Sequence, residues 1–140
     1  MEAHGQFKLG AYDNILYARL NGSWNEETAF LFSKKFKALI EKSMPQRWAH
    51  IVFMDDWELG VPEIEPIVKE LVDWCIARGL VCAAQVFSRS MIVKYQIDKM
   101  VTENSGAFSR KQFTDEHAAI YWLRDKGFEI KPDRLQNNFQ

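Results

Sequence analysis

One apolar stretch, residues 49–54, most constrains how this chain can fold. It contains a single polar residue, His50, and two carboxylates, Asp55 and Asp56, follow it directly. A run that is apolar on both faces, rather than alternating, is typical of a central strand covered by helices on each side. In open α/β sheets, sites are usually built where such strands end. We therefore predict a central strand over residues 49–55, followed by an acidic loop that carries the candidate site.

The length and composition of the chain fit one compact domain. Its 140 residues are 47% hydrophobic and include ten Phe and five Trp, which can build one substantial core. Residues 129–140 are polar and show no periodicity, as in a loosely held tail. We therefore place the domain at residues 1–128 and a tail at residues 129–140.

The charge balance argues against two classes of partner. Eighteen Lys and Arg stand against nineteen Asp and Glu, a formal net charge of −1, so there is no basic excess for a nucleic acid or an anionic membrane surface. The first residues lack a signal-peptide pattern, and no apolar run approaches the roughly 20 residues that span a bilayer. We therefore expect a cytoplasmic protein that binds neither nucleic acid nor membrane.

The two cysteines, Cys75 and Cys82, have apolar neighbours and no CxxC spacing. In a reducing compartment this pattern predicts two buried thiols. A disulfide or a shared metal is the less favoured alternative.

The first part of the chain predicts a hairpin and then a helix. Residues 6–20 form two short strand-like runs around a turn at Asp13, and Asn21 is expected to end the second run. Ser23 and Glu26 have the spacing of a capping box, so a helix is predicted to begin there and to end before Pro45. Its apolar stripe consists of Ala29, Phe32, Phe36, Leu39 and Ile40.

A strand, a helix and another strand form the middle of the chain. The helix is predicted to begin between Pro62 and Pro66 and to end at Gly79, which suits a left-handed position after the last turn. Residues 81–87 are nearly all apolar and predict a second buried strand. Two strands joined by a helix should be parallel, with a right-handed crossover.

A third helix, a short strand and a fourth helix are predicted to complete the domain. They fall at residues 90–101, at residues 110–113, and between a cap at Thr114 or Asp115 and an end at Gly127. The predicted fold class is therefore α/β in a single domain. It has a mixed sheet, made of an amino-terminal hairpin plus parallel strands, with about four helices packed around it.

The order of elements and four local motifs resemble the STAS-like superfamily, which contains the anti-sigma-factor antagonists. The motifs are Leu20-Asn21-Gly22-Ser23-Trp24 before a helix, a strand that ends in Asp55-Asp56-Trp57, Gly79-Leu80 leading into residues 81–84, and residues 113–123. The last motif is the most specific, because it combines a strand Phe, a short acidic cap and an Ala-x-x-Trp-Leu helix. The resemblance spans roughly residues 6–128.

The resemblance implies an interaction or ligand-sensing module and not an enzyme. In the antagonist branch, a phosphorylatable Ser lies in the loop after the central strand. Residues 55–62 of this chain contain no Ser or Thr, so that switch is not carried over. The fixed negative charge there either imitates a phosphorylated loop or is simply solvated near a helix start, and we favour the second interpretation.

The acidic stretch could in principle serve a metal ion or acid/base catalysis. Five carboxylates, those of Asp55, Asp56, Glu58, Glu63 and Glu65, fall within eleven residues. Their spacing is not that of a calcium loop, and no nucleotide or nucleophile motif accompanies them. We therefore favour a solvated, partner-facing loop, and we expect no cofactor and no metal.

Four further residues are candidates for the same partner contact. Trp24 and Trp57 lie beside helix starts, and if exposed they would mark a contact surface. Ser88 and Arg89 follow the second parallel strand and could face the acidic loop, although the favoured role of the segment Ser88-Arg89-Ser90 is to cap the third helix.

The predicted function is that of a non-enzymatic interaction or regulatory module, bound by a protein partner or by a second copy of the chain. The candidate contact residues are Asp55, Asp56, Trp57, Glu58, Trp24, Ser88 and Arg89. One alternative is a domain that binds a small apolar or anionic, lipid-like ligand between the second and third helices. A weaker alternative is an enzyme that uses the acidic loop.

Overall fold

The structure, a computed structural model, describes residues 6–87, 91–100 and 104–131. Within these ranges the chain forms strands, α-helices and one short 3₁₀ turn. In chain order they are β1 (Gln6–Tyr12), β2 (Ile15–Trp24), α1 (Glu26–Ser43), β3 (Trp48–Gly60), the 3₁₀ turn Pro62–Ile64, α2 (Glu65–Ala77), β4 (Leu80–Val86), α3 (Met91–Met100), β5 (Asn104–Ser105), β6 (Phe108–Phe113) and α4 (Glu116–Asp125).

The strands form one mixed sheet in the order β1-β2-β3-β4-β6-β5. β1 and β2 are antiparallel around a turn at Asp13 and Asn14, which confirms the predicted hairpin. β2, β3, β4 and β6 are parallel neighbours, and the short β5 is antiparallel to β6. The predicted fold class is confirmed, and the apolar run that begins at Ala49 lies in the interior of the sheet, as predicted.

Helices cover both faces of this sheet. α1, α2 and α3 contribute to the core cluster that contains Val52 and Met54, whereas α4 packs in a second cluster that contains Ile51 and Phe53. Successive β3 residues therefore enter different cores, which explains why the strand is apolar on both faces. None of the helices in the described ranges combines the length and apolarity needed to cross a membrane.

α1 begins two residues later than the capping-box pattern predicts. β2 extends to Trp24, so Ser23 is still part of a strand. Asn25 is the N-cap instead, and its side-chain Oδ1 accepts from the backbone N–H of Thr28 at 3.0 Å. The predicted apolar stripe is confirmed on α1, where Phe32, Phe36 and Ile40 are buried among its members.

The predicted glycine ends of α2 and α4 are confirmed. Gly79 has a φ of +98° and Gly127 a φ of +95°, a region that disfavours residues with a Cβ. Gly79 also lies against the chain before β3, because a Cβ there would overlap the carbonyl oxygen of Gln46. Its own carbonyl accepts from the backbone N–H of Trp48 at 3.1 Å, so the end of α2 is fixed to the start of β3.

The carboxyl-terminal part departs from the prediction in two places. The short β5, which the sequence pattern did not indicate, pairs with the start of β6 through Ser105 and Phe108. Ile130 is 2% exposed and belongs to the α4 core cluster, so packing extends beyond the predicted boundary at residue 128. The remainder of the predicted tail, residues 132–140, lies outside the described residues.

The two thiols are free and buried, as predicted for Cys75 and Cys82. Burial raises the pKa of the Cys82 thiol to about 11 and raises that of Cys75 further. Both thiols are therefore protonated near neutral pH, which makes them poor nucleophiles and poor metal ligands.

Candidate contact site at the end of the central strand

The candidate site lies on a strand and not on a loop. The sequence pattern predicted that this strand ends at Asp55. In the structure β3 continues to Gly60, because β2 pairs with it that far. The pairing of β3 with β4 runs only from Trp48 to Phe53. The prediction of an acidic loop is wrong because charged side chains also occur on the solvent-exposed face of a strand, not only after its end.

An irregularity in the pairing of β2 with β3 decides which side chains face outward. Arg19 lies opposite Phe53, whereas Asn21 lies opposite Asp56, so β3 has one extra residue in this interval. A bulge of this kind restarts the alternation of side chains along the strand. As a result, Trp57 joins the α1–α3 core, although a regular strand would place it on the opposite face from Met54.

Three carboxylates remain exposed on this part of β3. We call Asp55, Asp56 and Glu58 the acidic ridge, and each of them is solvent-exposed. The hydroxyl of Ser23, on the neighbouring strand β2, donates to Glu58 Oε2 at 3.1 Å. The ridge is therefore carried by paired strand backbone, with one of its side chains held in addition by a hydrogen bond.

The structure corrects the proposed role of the two tryptophans. Trp24 is 2% exposed and Trp57 is 4% exposed, so neither belongs to an exposed contact surface. Their rings meet edge to face, with centroids 6.0 Å apart, and Trp24 Nε1 donates to the carbonyl of Asn21 at 3.1 Å. The buried ring of Trp57 therefore holds the strand that carries the ridge against the core beneath α1, α2 and α3. Its Nε1–H is buried and has no hydrogen-bond partner among the described residues.

A buried glutamine fixes the far end of β3. Gln96 on α3 is 4% exposed, and its side-chain amide donates to Gly60 O at 2.9 Å and accepts from Gly60 N at 3.0 Å. The amide thus replaces a neighbouring strand at this position. Gly60 is required because a Cβ there would overlap the buried side chain of Ile64.

Sequence reasoning missed Gln96, although a signal was present. It stands on the same helical face as Ile97 and Met100, and a polar residue on an apolar stripe indicates a buried hydrogen-bonding role.

Replacing Gln96 by Leu is expected to lower the free energy of unfolding by about 2 kcal/mol, because both polar groups of Gly60 lose their partner inside the protein. In a urea titration the loss appears as a lower urea concentration at the unfolding midpoint, while the slope of the free energy of unfolding against urea concentration is unchanged. Gln46→Leu, at an exposed position, is the matched control. Equal midpoints for the two variants would contradict the role given to Gln96.

A small cavity lies between the α1–α3 layer and the sheet, directly below Trp57. Its volume is about 80 Å³, and most of its lining is apolar. Ligand pockets for drug-sized molecules usually have at least about 300 Å³. The cavity is therefore too small for the lipid-like ligand of the first alternative.

His50 contributes one of the few polar groups of this cavity. Its Nδ1 lies 3.0 Å from the carbonyl oxygen of Leu16, which can only accept, so Nδ1 carries the proton and Nε2 is an unprotonated acceptor. The ring meets Phe36 edge to face at 5.1 Å. Burial lowers the pKa of His50 from 6.5 to about 4, and the bond to Leu16 only partly opposes this shift. His50 is therefore neutral near pH 7.

The structure brings only part of the predicted site together. Asp55, Asp56 and Glu58 share one exposed strand end, whereas Ser88 and Arg89 lie outside the described residues. Across the described ranges, no three His, Cys, Asp or Glu side chains are grouped as a metal site requires. The ridge therefore offers a charged surface and no recognisable constellation for metal-assisted chemistry.

Comparisons with known proteins establish the fold. No protein-family model and no curated protein matches the chain. An uncharacterized protein of the DUF3478 family with a SpoIIAA-like fold, from Shewanella loihica PV-4, is similar in structure, with a TM-score of 0.61, 8% identity, and coverage of 88% of this chain and 96% of that one.

The Bacillus cell fate determinant SpoIIAA in its phosphorylated form is also similar in structure. The TM-score is 0.52 at 13% identity, over 81% of this chain and 96% of that one. Identities this low carry information on the fold alone. The chain therefore has a SpoIIAA-like fold, which confirms the STAS-like architecture that the sequence motifs implied.

Proposed function

We propose that this protein is a non-enzymatic interaction module that binds a protein partner through the acidic ridge. The observation that carries the proposal is the exposure of Asp55, Asp56 and Glu58 together at the carboxyl-terminal end of a central strand. In parallel sheets this end is where sites are usually built. The fold also supports a regulatory module, since the Bacillus cell fate determinant SpoIIAA has a similar fold.

The fixed geometry of the ridge also supports this function. Trp57 packs beneath it, Ser23 binds Glu58, and Gln96 holds Gly60 at its end. A surface ordered before binding loses little conformational entropy when a partner docks. With no Ser or Thr among residues 55–62, the charge of the ridge is permanent, so we propose that binding here does not depend on phosphorylation of this segment.

The charge of the ridge defines the chemistry of the partner. Three neighbouring carboxylates attract a basic protein surface and accelerate its association. A second copy of the chain is disfavoured at this face, because a twofold interface would place two acidic ridges against each other. We therefore expect a heterologous partner with exposed Lys and Arg.

The test compares two variants with the same change in net charge. In the first, Asp55→Asn, Asp56→Asn and Glu58→Gln neutralise the ridge while Trp57 is left intact. In the control, Glu116→Gln, Asp125→Asn and Glu129→Gln neutralise three exposed carboxylates in and after α4, which packs on the other face of the sheet. Proteins captured from the native host by the wild type are identified by mass spectrometry, purified, and titrated against all three forms by calorimetry.

We expect the ridge variant to bind about tenfold more weakly than the control at low salt, with a difference that shrinks as salt screens the charges. A partner that binds both variants equally would show that its interface lies elsewhere. If no captured protein distinguishes the ridge variant from the control, the proposed function is wrong.

A further inference from the structure

The sheet ends on one side in a long strand whose outer edge is open. β1 is the first strand in the sheet order and pairs only with β2 among the described strands, along its whole length and without a shift in register. The strand at the opposite edge, β5, has only two residues. Natural sheets usually interrupt a long edge with proline, a bulge or charged side chains, because an open edge pairs with other chains. β1 contains no proline and no bulge, and Lys8 is its one charged residue.

The pairing within the sheet determines which backbone groups of β1 point outward. The N–H of Ala49 on β3 donates to the carbonyl of Asn14, directly before β2, at 2.9 Å. Successive residues direct their backbone groups to opposite sides of a strand, so Ile15 and every second residue after it on β2 bond to β1. The residues of β1 opposite them are the even-numbered ones. The N–H and C=O groups that point away from the sheet therefore belong to Phe7, Leu9 and Ala11.

We propose that two copies of this chain associate through β1, with their β1 strands antiparallel about a twofold axis at Leu9. In this register Leu9 lies opposite Leu9 of the second copy, and Phe7 lies opposite Ala11 of the second copy. All three residues direct their backbone groups outward, so the two edges form about six hydrogen bonds. Lys8 lies directly opposite Gly10 and not opposite Lys8 of the second copy, so no like charges face each other across the pair.

Helix α1 fits the same axis. It packs over both β1 and β2, so the α1 helices of the two copies lie about 10 Å apart on one face of the joined sheet, close enough to pack. Lys35 Nζ lies over the ring of Phe7, 5.9 Å from its centroid, which places this side of α1 above β1. Leu31 and Leu39, one turn before and after Lys35, share that side, and Leu31 is 40% exposed. The dimer therefore covers an apolar side chain that the single chain exposes.

A strand from a different protein is the competing occupant of this edge. A second copy is favoured because the backbone groups around Leu9 and the leucines of α1 are both self-complementary about one axis. The net charge of −1 also leaves little repulsion between two copies. The acidic ridge lies on β3, two strands away from β1, so this dimer leaves both ridges open.

The experiment measures the mass of the full chain by sedimentation equilibrium, from about 1 µM to about 1 mM, for the wild type and two variants at one position. Ala11→Pro removes an outward N–H and places the proline ring in the path of the second copy. It keeps the bonds to β2, because a sheet edge accepts proline where the N–H faces solvent. Ala11→Val is the matched control, since it keeps the N–H. We expect the wild type and Ala11→Val to dimerise alike. The dissociation constant of Ala11→Pro should be at least about tenfold higher, because the symmetry removes two hydrogen bonds.

Two cysteine variants test the register. Leu9→Cys places two thiols opposite each other at the axis, with Cα atoms about 5.5 Å apart, a separation that a disulfide spans. Ala11→Cys lies opposite Phe7 instead and should form the crosslink at least about tenfold more slowly. The native Cys75 and Cys82 are buried in both variants and do not compete.

Three outcomes would overturn the proposal. A monomer mass across the whole concentration range would leave a strand of another protein as the occupant of the edge. Equal dissociation constants for Ala11→Pro and Ala11→Val would place the dimer interface elsewhere. A faster crosslink in Ala11→Cys than in Leu9→Cys would refute the axis at Leu9.

Hydrogen exchange of the wild type keeps the test decisive even if Ala11→Pro fails to fold. The outward amides of Phe7, Leu9 and Ala11 should exchange more slowly at high protein concentration than at low concentration. The amides of Lys8 and Gly10, which already bond to β2, should change less. Exchange of the outward amides that does not depend on concentration would contradict pairing through β1.

Discussion

Asp98→Ala is expected to lower the free energy of unfolding by about 3 kcal/mol, because it leaves a buried guanidinium without its carboxylate. The side chain of Arg110 on β6 is only 5% exposed, and its Nη2 donates to Asp98 Oδ1 of α3 at 3.0 Å. Its Nη1 donates to Gln85 Oε1 at 3.1 Å, whereas its buried Nε has no partner among the described residues. Since Asp98 is itself 39% exposed, the loss should fall at the lower end of the range for broken buried pairs.

A double variant that also replaces Arg110 should be more stable than Asp98→Ala alone, which makes the prediction specific to the buried charge. Arg110→Met introduced into the Asp98→Ala protein is expected to recover part of the lost stability, because no buried charge then remains. Asp73→Ala is the matched control, since the exposed pair of Asp73 with Lys69 contributes less than about 1 kcal/mol. If Asp98→Ala lowers the free energy of unfolding by no more than Asp73→Ala does, the Arg110 guanidinium reaches water when Asp98 is absent.

Local sequence patterns predicted the layers of this fold because each pattern has one dominant physical cause. The apolar run from Ala49 reflects a strand with a core on each side, and both cores are present. Gly79 and Gly127 end their helices in the left-handed conformation that glycine alone adopts without strain. Such features depend on a few neighbouring residues, so the sequence is sufficient to find them.

The errors concern features that depend on pairing between distant residues. Whether Trp57 points inward is decided by an extra residue opposite Arg19 and Asn21 on β2, and hydrophobic periodicity contains no information on that register. Ser23 fits a capping box in sequence, but in the structure it lies on β2 and binds Glu58, 35 residues away. The carboxylates that were predicted to be solvated are exposed, whereas the two tryptophans beside them are buried and fail the condition for a contact surface.

The stability of the wild-type protein is expected to fall by about 2 kcal/mol between about pH 7.5 and about pH 5 through His50 alone. In the folded protein the pKa of His50 is lowered to about 4 by burial, whereas the unfolded chain has the ordinary value of 6.5. Below pH 6.5 the unfolded state therefore binds a proton that the folded state does not yet bind, and stability falls as pH falls. The contribution of the lowered His50 pKa to the free energy of unfolding is fully present above pH 6.5. It is lost by about pH 4, where the loss approaches 3 kcal/mol.

His50→Asn isolates this effect from the carboxylates that titrate in the same range. The Asn amide nitrogen is as many bonds from the backbone as His Nδ1, so it can still donate to Leu16 O, but it has no titrating group. The free energy of unfolding is measured with urea for both proteins across the pH range, and each is expressed relative to its own value near neutrality. At about pH 5 the wild type should then have lost about 2 kcal/mol more than His50→Asn. Parallel curves for the two proteins would mean that His50 titrates equally in both states.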